Sequence, residues 1–374
     1  MTDRNTATDR SRREILKWFG AGGGAVAASM ALTACANAQS DTGSGGTGNF
    51  PKPGEKWKFV FINHVTTNSF FAPTQNGIKD AAALLGVDYQ WTGSETGNVS
   101  EMASALDTAI NGGAHGIAIA LTDNNAFKDG CKTAFSKGIP VIAYNATAEG
   151  NYALCYVGQD LFLSGYKMGQ RIIQEIPSGD IIVGISQPGG NNVQPRLDGI
   201  NKAISDAGAN ITVHSVNTGA EQAAELSAME SAYAGRKTAK GVYAVDAGST
   251  ASIAQMVEKQ GLQGKFHAGG YDTLTDTING VKKGYLDFTI DQSAYLQGFL
   301  PVLYLYLYRL TGTLVHPPET DTGLTFVTKD GTSGTTAVAP YAKSQSVYEG
   351  AKGTRKLAMP STLPLPAPLT VTQS

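Results

Sequence analysis

Polar, planar and aromatic side chains follow one short apolar run after another in this chain: Asn68 to Phe71, Thr122-Asp123, Asn145, Arg196, Asp246, Asp272 and Asp291-Gln292. Carboxylates, amides and a guanidinium form paired hydrogen bonds to neighbouring hydroxyl groups, and flat rings cover the apolar C–H faces of a pyranose or furanose. The natural complement of such a set is a polyol. Each residue taken singly has a plainer reading. Phe70 and Phe71 at the start of a helix suit a core, and Asp123, Asp246 and Asp272 could each cap a helix by accepting from its orphan amides. Other chemistries find little footing. The five His, at 64, 115, 214, 267 and 316, have no metal-ligand spacing, and no G-x-S-x-G nucleophile motif is present. No metal and no cofactor is expected.

Elements that would position these groups are legible in the apolar pattern. Phe59-Val60-Phe61-Ile62, Gly116 to Leu121, Pro140 to Tyr144 and Ile181 to Ile185 are continuous apolar runs, as in parallel strands covered on both faces. Between them Phe71, Gln75, Ile78, Ala82 and Leu85 recur at helical spacing, as do Met102, Ala105, Leu106, Ala109 and Ile110 behind a Ser100 cap. Alternating strand and helix predicts a doubly wound α/β fold, whose ligands bind beyond the carboxyl ends of the strands. At 374 residues the chain is long enough for two such lobes. Leu303 to Tyr308 alternates with period two and by itself reads as a strand. A balance of 29 Lys and Arg against 31 Asp and Glu implies no basic face for nucleic acid.

The front of the chain carries an address. Arg12-Arg13 ahead of a weakly apolar stretch resembles a twin-arginine export signal, and Leu32-Thr33-Ala34-Cys35 resembles a bacterial lipobox. Residues 1–35 are thus read as a leader, with Cys35 as the lipidated residue that anchors the protein to the membrane. Gly20-Ala21-Gly22-Gly23-Gly24-Ala25 fits G-x-G-x-x-A, but it sits in that leader without the strand and helix that dinucleotide binding requires. Residues 36–56, rich in Gly, Ser and Thr, read as a tether spanning on the order of 25 Å. Cys131 and Cys155 are read as free thiols, and the Ser/Thr/Pro-rich residues 330–374 as an extension.

From 57 to 329 the sequence resembles the ribose-binding-protein type of periplasmic binding protein. Asn68-Ser69-Phe70-Phe71 is similar to that family's Asn-Pro-Phe-Phe, in which Asn hydrogen-bonds the sugar and the rings sandwich it, with Ser69 in place of Pro. Leu121-Thr122-Asp123 and Pro140 to Asn145 resemble the runs after the third and fourth strands, but Asn145 and Ala146 stand where the family has Asp and Arg, which removes a charged clamp. Arg196-Leu197-Asp198-Gly199 resembles the Arg-x-x-Gly whose Arg reaches across the cleft; Asp246, Gly270-Tyr271-Asp272 and Gln292 match further positions. The family's aromatic near Thr218-Gly219 is missing, a gap that Tyr144 or Tyr271 is expected to fill. The resemblance implies two lobes, 57–159 with 292–322 and 160–291 with 323–329, joined by crossings near 158–160, 289–292 and 322–324. It implies a monomer that closes on a neutral monosaccharide or polyol and docks on ABC permease subunits. Docking on a chemotaxis or sensor protein is the alternative, and a sugar hydrolase using Asp246 and Asp272 a weaker one.

Overall fold

The computed structural model describes residues 51, 55–314, 316–331 and 335–338. The leader, Cys35, most of the tether and most of the extension lie outside these residues.

Two sheets organise the chain. The first contains β1 (Lys58–Asn63), β2 (Asp88–Gly93), β3 (Gly116–Ile119), β4 (Val141–Tyr144), β5 (Tyr156–Gly158) and β11 (Glu319–Asp321), in the order β11-β5-β4-β3-β1-β2. All its pairings are parallel. The second contains β6 (Ser178–Ile185), β7 (Asn210–Asn217), β8 (Gly241–Ala244), β9 (His267–Tyr271), β10 (Phe288–Asp291), β12 (Thr325–Thr328) and β13 (Thr336–Ala337), in the order β13-β12-β10-β9-β8-β6-β7. Only β12 on β10 runs antiparallel. The apolar runs are buried along β3, β4, β8 and β10, because helices cover both faces of each sheet. The chain passes between the sheets after β5, after β10 and between β11 and β12.

In the first lobe the connecting helices are α1 (Ala72–Leu85), α2 (Val99–Asn111) and α3 (Lys128–Ser136). Pro73 opens α1 and Gly86, in the left-handed region at φ 66°, ends it. The cap of α2 is Asn98, not Ser100: its side chain accepts from the amides of Ser100 and Glu101. In the second lobe lie α4 (Leu161–Glu175), α5 (Gln194–Asp206), α6 (Gln222–Gly235), α7 (Ala247–Gln260) and α8 (Thr275–Lys283). A last helix, α9 (Ala294–Thr311), returns to the first lobe, where Val302 and Leu305 join its core.

Leu303 to Tyr308 is therefore helix, against its period-two pattern. The residues of α9 that are buried are Ala294, Gln297, Gly298, Pro301, Val302 and Leu305, a row at spacing three and four that outweighs the local Leu/Tyr alternation. Close approach to α1 fixes the helix in place. A Cβ on Gly298 would stand 1.9 Å from the Thr74 carbonyl oxygen, and one on Gly77 would stand 2.2 Å from that of Tyr295. Cys131 and Cys155 are buried free thiols. Among the described residues no helix is long and apolar enough to cross a membrane.

A candidate ligand-binding cleft

The carboxyl ends of both sheets face a shared cleft, and the residue just after a strand is repeatedly bent into it. Asn145 follows β4 with φ 62°, and Asp272 follows β9 with φ 71°. Asn and Asp tolerate this left-handed region better than other side chains with a Cβ, so the two lobes use the same device to turn a polar group inward. From the first lobe, Asn68 caps a short 3-10 turn, Ser69–Phe71, accepting from the Phe70 amide at 2.9 Å. The rings of Phe70 and Phe71 meet edge to face, with centroids 4.7 Å apart.

Arg196, in the first turn of α5, is buried and bound on several sides. Nη1 donates to the Val245 carbonyl at 2.9 Å, Nη2 donates to Gln159 Oε1 at 3.1 Å, and the guanidinium lies 4.0 Å over the Tyr271 ring. Asp272 Oδ1 accepts from Gln292 Nε2 at 2.7 Å. Gln297 Nε2 donates to Gln292 Oε1 and its own Oε1 accepts from Asn145 Nδ2. Thr322 donates to the Gln292 carbonyl, and Gln159 donates to the Gly323 carbonyl. Each crossing between the lobes is thus hydrogen-bonded into one buried network that ends on Arg196 and Asp272.

Asp246 caps α7, accepting from the amides of Ser249 at 2.9 Å and Ser186 at 3.0 Å. Glu225, on α6, is 2% exposed and lies against it. Burial pushes Asp272 up to about 7, against the opposing pull of the Arg196 charge and the Gln292 hydrogen bond. Burial lowers His64 from the ordinary 6.5 to about 4.

The lobes touch across the cleft. Asn191, from the second lobe, donates through its backbone to the Thr122 carbonyl and through Nδ2 to Leu121 O and Asn124 Oδ1. Asn192 Nδ2 lies 3.2 Å from His64 Nε2. These contacts join loops of opposite sheets, so the structure is a closed form. The cavity between them measures ≈ 60 Å³; a water needs roughly 10–15 Å³ on that measure, so the space suits one small solute. Arg196 Nε, His64 Nδ1 and Asn192 Oδ1 are buried without a partner in this wall. Buried polar atoms of this kind call for a polar ligand.

Eight of the residues singled out in the sequence line this cavity: Asn68, Phe70, Phe71 and Asn145 on one side, Arg196, Asp246 and Asp272 on the other, with Gln292 between. Two do not. Tyr144 is fully buried in the first lobe, its hydroxyl accepting from Asn63 Nδ2 at 2.9 Å and its ring edge-on to Phe61. It is the last residue of β4 and faces the core, while the turn at Asn145 reverses direction. Tyr271 is likewise core, bonded to Ser164, so neither tyrosine covers a ligand ring. Asp123 stays outside the cavity and accepts from the amides of Asn125 and Ala126, both at 2.8 Å, which hold its carboxyl below the usual range.

His64, Ser186, Asn192 and Glu225 line the cavity without having been foreseen. His64 and Ser186 sit directly after β1 and β6, so the strand-end rule already pointed at them. Glu225 gives no local signal, because only the packing of α6 on α7 brings it to the cleft. Among the described residues one group with metal-ligand types, Glu175, His267 and Asp287, comes together at the amino ends of β9 and β10, away from the cleft. Arg171 already occupies Glu175 there.

Residues 59–312 match the model of the periplasmic binding protein domain. The chain belongs to that family. It is 42% identical over 371 residues, 91% of this chain and 92% of the relative, to the xylose/arabinose-binding protein XylF of Sulfolobus acidocaldarius. An ABC transporter solute-binding protein of Burkholderia graminis, solved in complex with D-arabinose, is 26% identical with a TM-score of 0.71, covering 76% of this chain and 99% of that one. A carbohydrate transporter structure from Acidothermus cellulolyticus, in complex with myo-inositol, shares the fold at 24% identity and a TM-score of 0.69, covering 79% and 100%. The periplasmic binding protein fold accounts for the paired parallel sheets and the polar cleft at their carboxyl ends.

The opposed shifts in this cleft give its stability a pH signature. Asp272 has a folded value above that of an unfolded Asp, so its contribution is full at low pH and lost as pH rises through about 7. His64 has a folded value below its unfolded one, so its contribution is present above 6.5 and lost as pH falls through about 4. The two oppose one another between those limits. Above pH 6.5 only the carboxyl groups act, and the melting temperature of the unliganded protein falls toward pH 8.5. In Asp272→Asn calorimetry finds a shallower fall; an unchanged slope would exclude Asp272 as a source.

Proposed function

We propose that this protein is the solute-binding component of an ABC importer, held at the outer face of the cell membrane through lipidated Cys35, and that it captures a neutral monosaccharide or polyol by closing its lobes. The observation that carries this reading is one small cavity in which a buried guanidinium, buried carboxylates, amides and two phenylalanine rings converge from both lobes. Hydroxyl groups use both lone pairs and the proton against such partners, while the apolar faces of the ring meet Phe70 and Phe71. With Asp246 and Asp272 against a single Arg196, an anionic solute is disfavoured. Aldopentoses come first, since the relatives above are named for xylose and arabinose or hold D-arabinose.

Closure places the solute out of water, where each polar contact strengthens, and brings both lobes into the arrangement a permease can read. The cleft binds its solute and releases it unchanged. A thermal-shift panel of neutral sugars, polyols and sugar acids tests the proposal. D-xylose, L-arabinose or another neutral polyol is expected to raise the melting temperature by several degrees; at a hundred times the dissociation constant, binding adds about 2.7 kcal/mol. Stabilisation by sugar acids alone would overturn it.

A further inference from the structure

Two carboxyl groups share one wall of the cleft. Asp246 receives two backbone amides, from Ser249 and Ser186, and its carboxylate is thereby stabilised as the ionised member. Glu225 is hydrogen-bonded to Asp246. An oxygen-to-oxygen hydrogen bond between carboxyls needs a proton, and two such groups in contact cannot both ionise. The proton therefore resides on Glu225, which donates it to Asp246 and leaves its own carbonyl oxygen free to accept. Gly248 makes the placement possible, because a Cβ there would stand 1.9 Å from Glu225 Oε2. The carboxyl of Glu225 thus rests against the first turn of α7, in a space that any other residue at 248 would fill.

We propose that Glu225 is a specificity-determining residue, a neutral carboxylic acid that accepts from one solute hydroxyl at this wall of the cleft. The inference rests on the polyol reading above and names what this wall selects: a hydroxyl group pointing at Glu225, not a C–H face. Ala220, Glu225 and Gly248 form the wall beside Thr218-Gly219, and none of them is aromatic.

The surrounding charges keep the acid neutral. Asp246, the cap of α7, is a negative neighbour in the cavity, Asp272 after β9 becomes one as pH rises through about 7, and Glu95 and Glu221 line the adjoining recess. His64 is neutral above about pH 4. Among the described cavity-lining residues Arg196 is the one permanent cation, and its Nη1 and Nη2 are committed to Val245 and Gln159. Burial and the charge of Asp246 raise Glu225 well above the ordinary carboxyl range. Ionisation at alkaline pH puts a second negative charge against Asp246, breaks their hydrogen bond and forces the wall apart.

The test uses the mature protein, its Glu225→Gln variant and two probes, D-xylose and L-arabinose. Infrared spectroscopy of the unliganded protein at pH 8, where Asp272 is largely ionised, is expected to show a protonated-carboxyl C=O band that disappears in the variant. Calorimetric titration from pH 8 to pH 10, above the value of about 7 at which Asp272 titrates in both proteins, is expected to show wild-type affinity falling, at the limit by about tenfold for each pH unit beyond the loss of the proton, while Glu225→Gln gives a flat profile. Absence of the band, or parallel profiles in the two proteins, overturns the inference. If the band is present but neither the pentoses nor any other neutral polyol binds at any pH, the polyol reading itself fails and this role falls with it.

Discussion

Replacing Arg196 with alanine lowers affinity for D-xylose or L-arabinose by at least about tenfold, since a hydrogen bond to a charged group contributes about 1.5–3 kcal/mol. The loss has two sources. The cleft wall loses the guanidinium with its unpartnered buried Nε, and Asp272, already pushed up to about 7 by burial, loses the positive charge that opposes that shift. A further consequence is mechanical. Gln159 loses its donor from Arg196, so the first crossing is no longer tied to α5. Arg196→Lys keeps the charge without the planar fork and recovers only part of the affinity. Isothermal titration measures binding and circular dichroism the fold. An alanine variant that remains folded and binds as tightly as the wild type would remove Arg196 from the recognition set.

The largest expected effect on stability lies away from the cleft, at the crossing of α1 and α9. Gly298→Val places a branched side chain where even a Cβ would stand 1.9 Å from the Thr74 carbonyl oxygen. The obstacle is backbone and cannot rotate aside. Overpacking of this kind costs typically about 1–3 kcal/mol and occasionally more, and both helices must separate for it to be relieved. Thr74 would then lose the bond its hydroxyl donates to the Ala294 carbonyl. A fall in the urea midpoint with an unchanged slope is the expected result. Gly208→Val is the control for substitution at a glycine: Gly208 has no atom near its would-be Cβ but carries φ 59°, so it registers backbone strain without a clash and is expected to cost less. Equal losses at 298 and 208 would show that the helix contact is not what matters.

Much of this arrangement was written plainly in the chain. Phe59 to Ile62, Gly116 to Leu121 and Pro140 to Tyr144 form strands because uninterrupted apolar runs of that length are stable only when covered on both faces. From that follows the expectation that polar residues just beyond each run meet, and eight side chains do line one cavity. What stayed hidden depends on direction or on distance along the chain. Tyr144 and Asn145 are adjacent, and only the left-handed turn at Asn145 decides which of them faces the cleft. Leu303 to Tyr308 follows a two-residue rhythm over a span too short to reveal that the buried row begins at Ala294. Glu225 and Asp246 are partners across two helices, a relation that no spacing rule encodes. Asn98 in place of Ser100 is a smaller case, in which two capping residue types stood two positions apart and the local turn chose between them.

The return of α9 and β11 to the first sheet, after the chain has built most of the second, constrains how the protein is made. No contiguous stretch of the gene encodes the first lobe alone, since its last strand ends at Asp321. During synthesis α1 emerges early with Gly77 bare and waits more than two hundred residues for its mate, while the second lobe can close as a nearly continuous unit. Assembly is therefore not vectorial: the half that leaves the ribosome first stays incomplete until most of the other has been made.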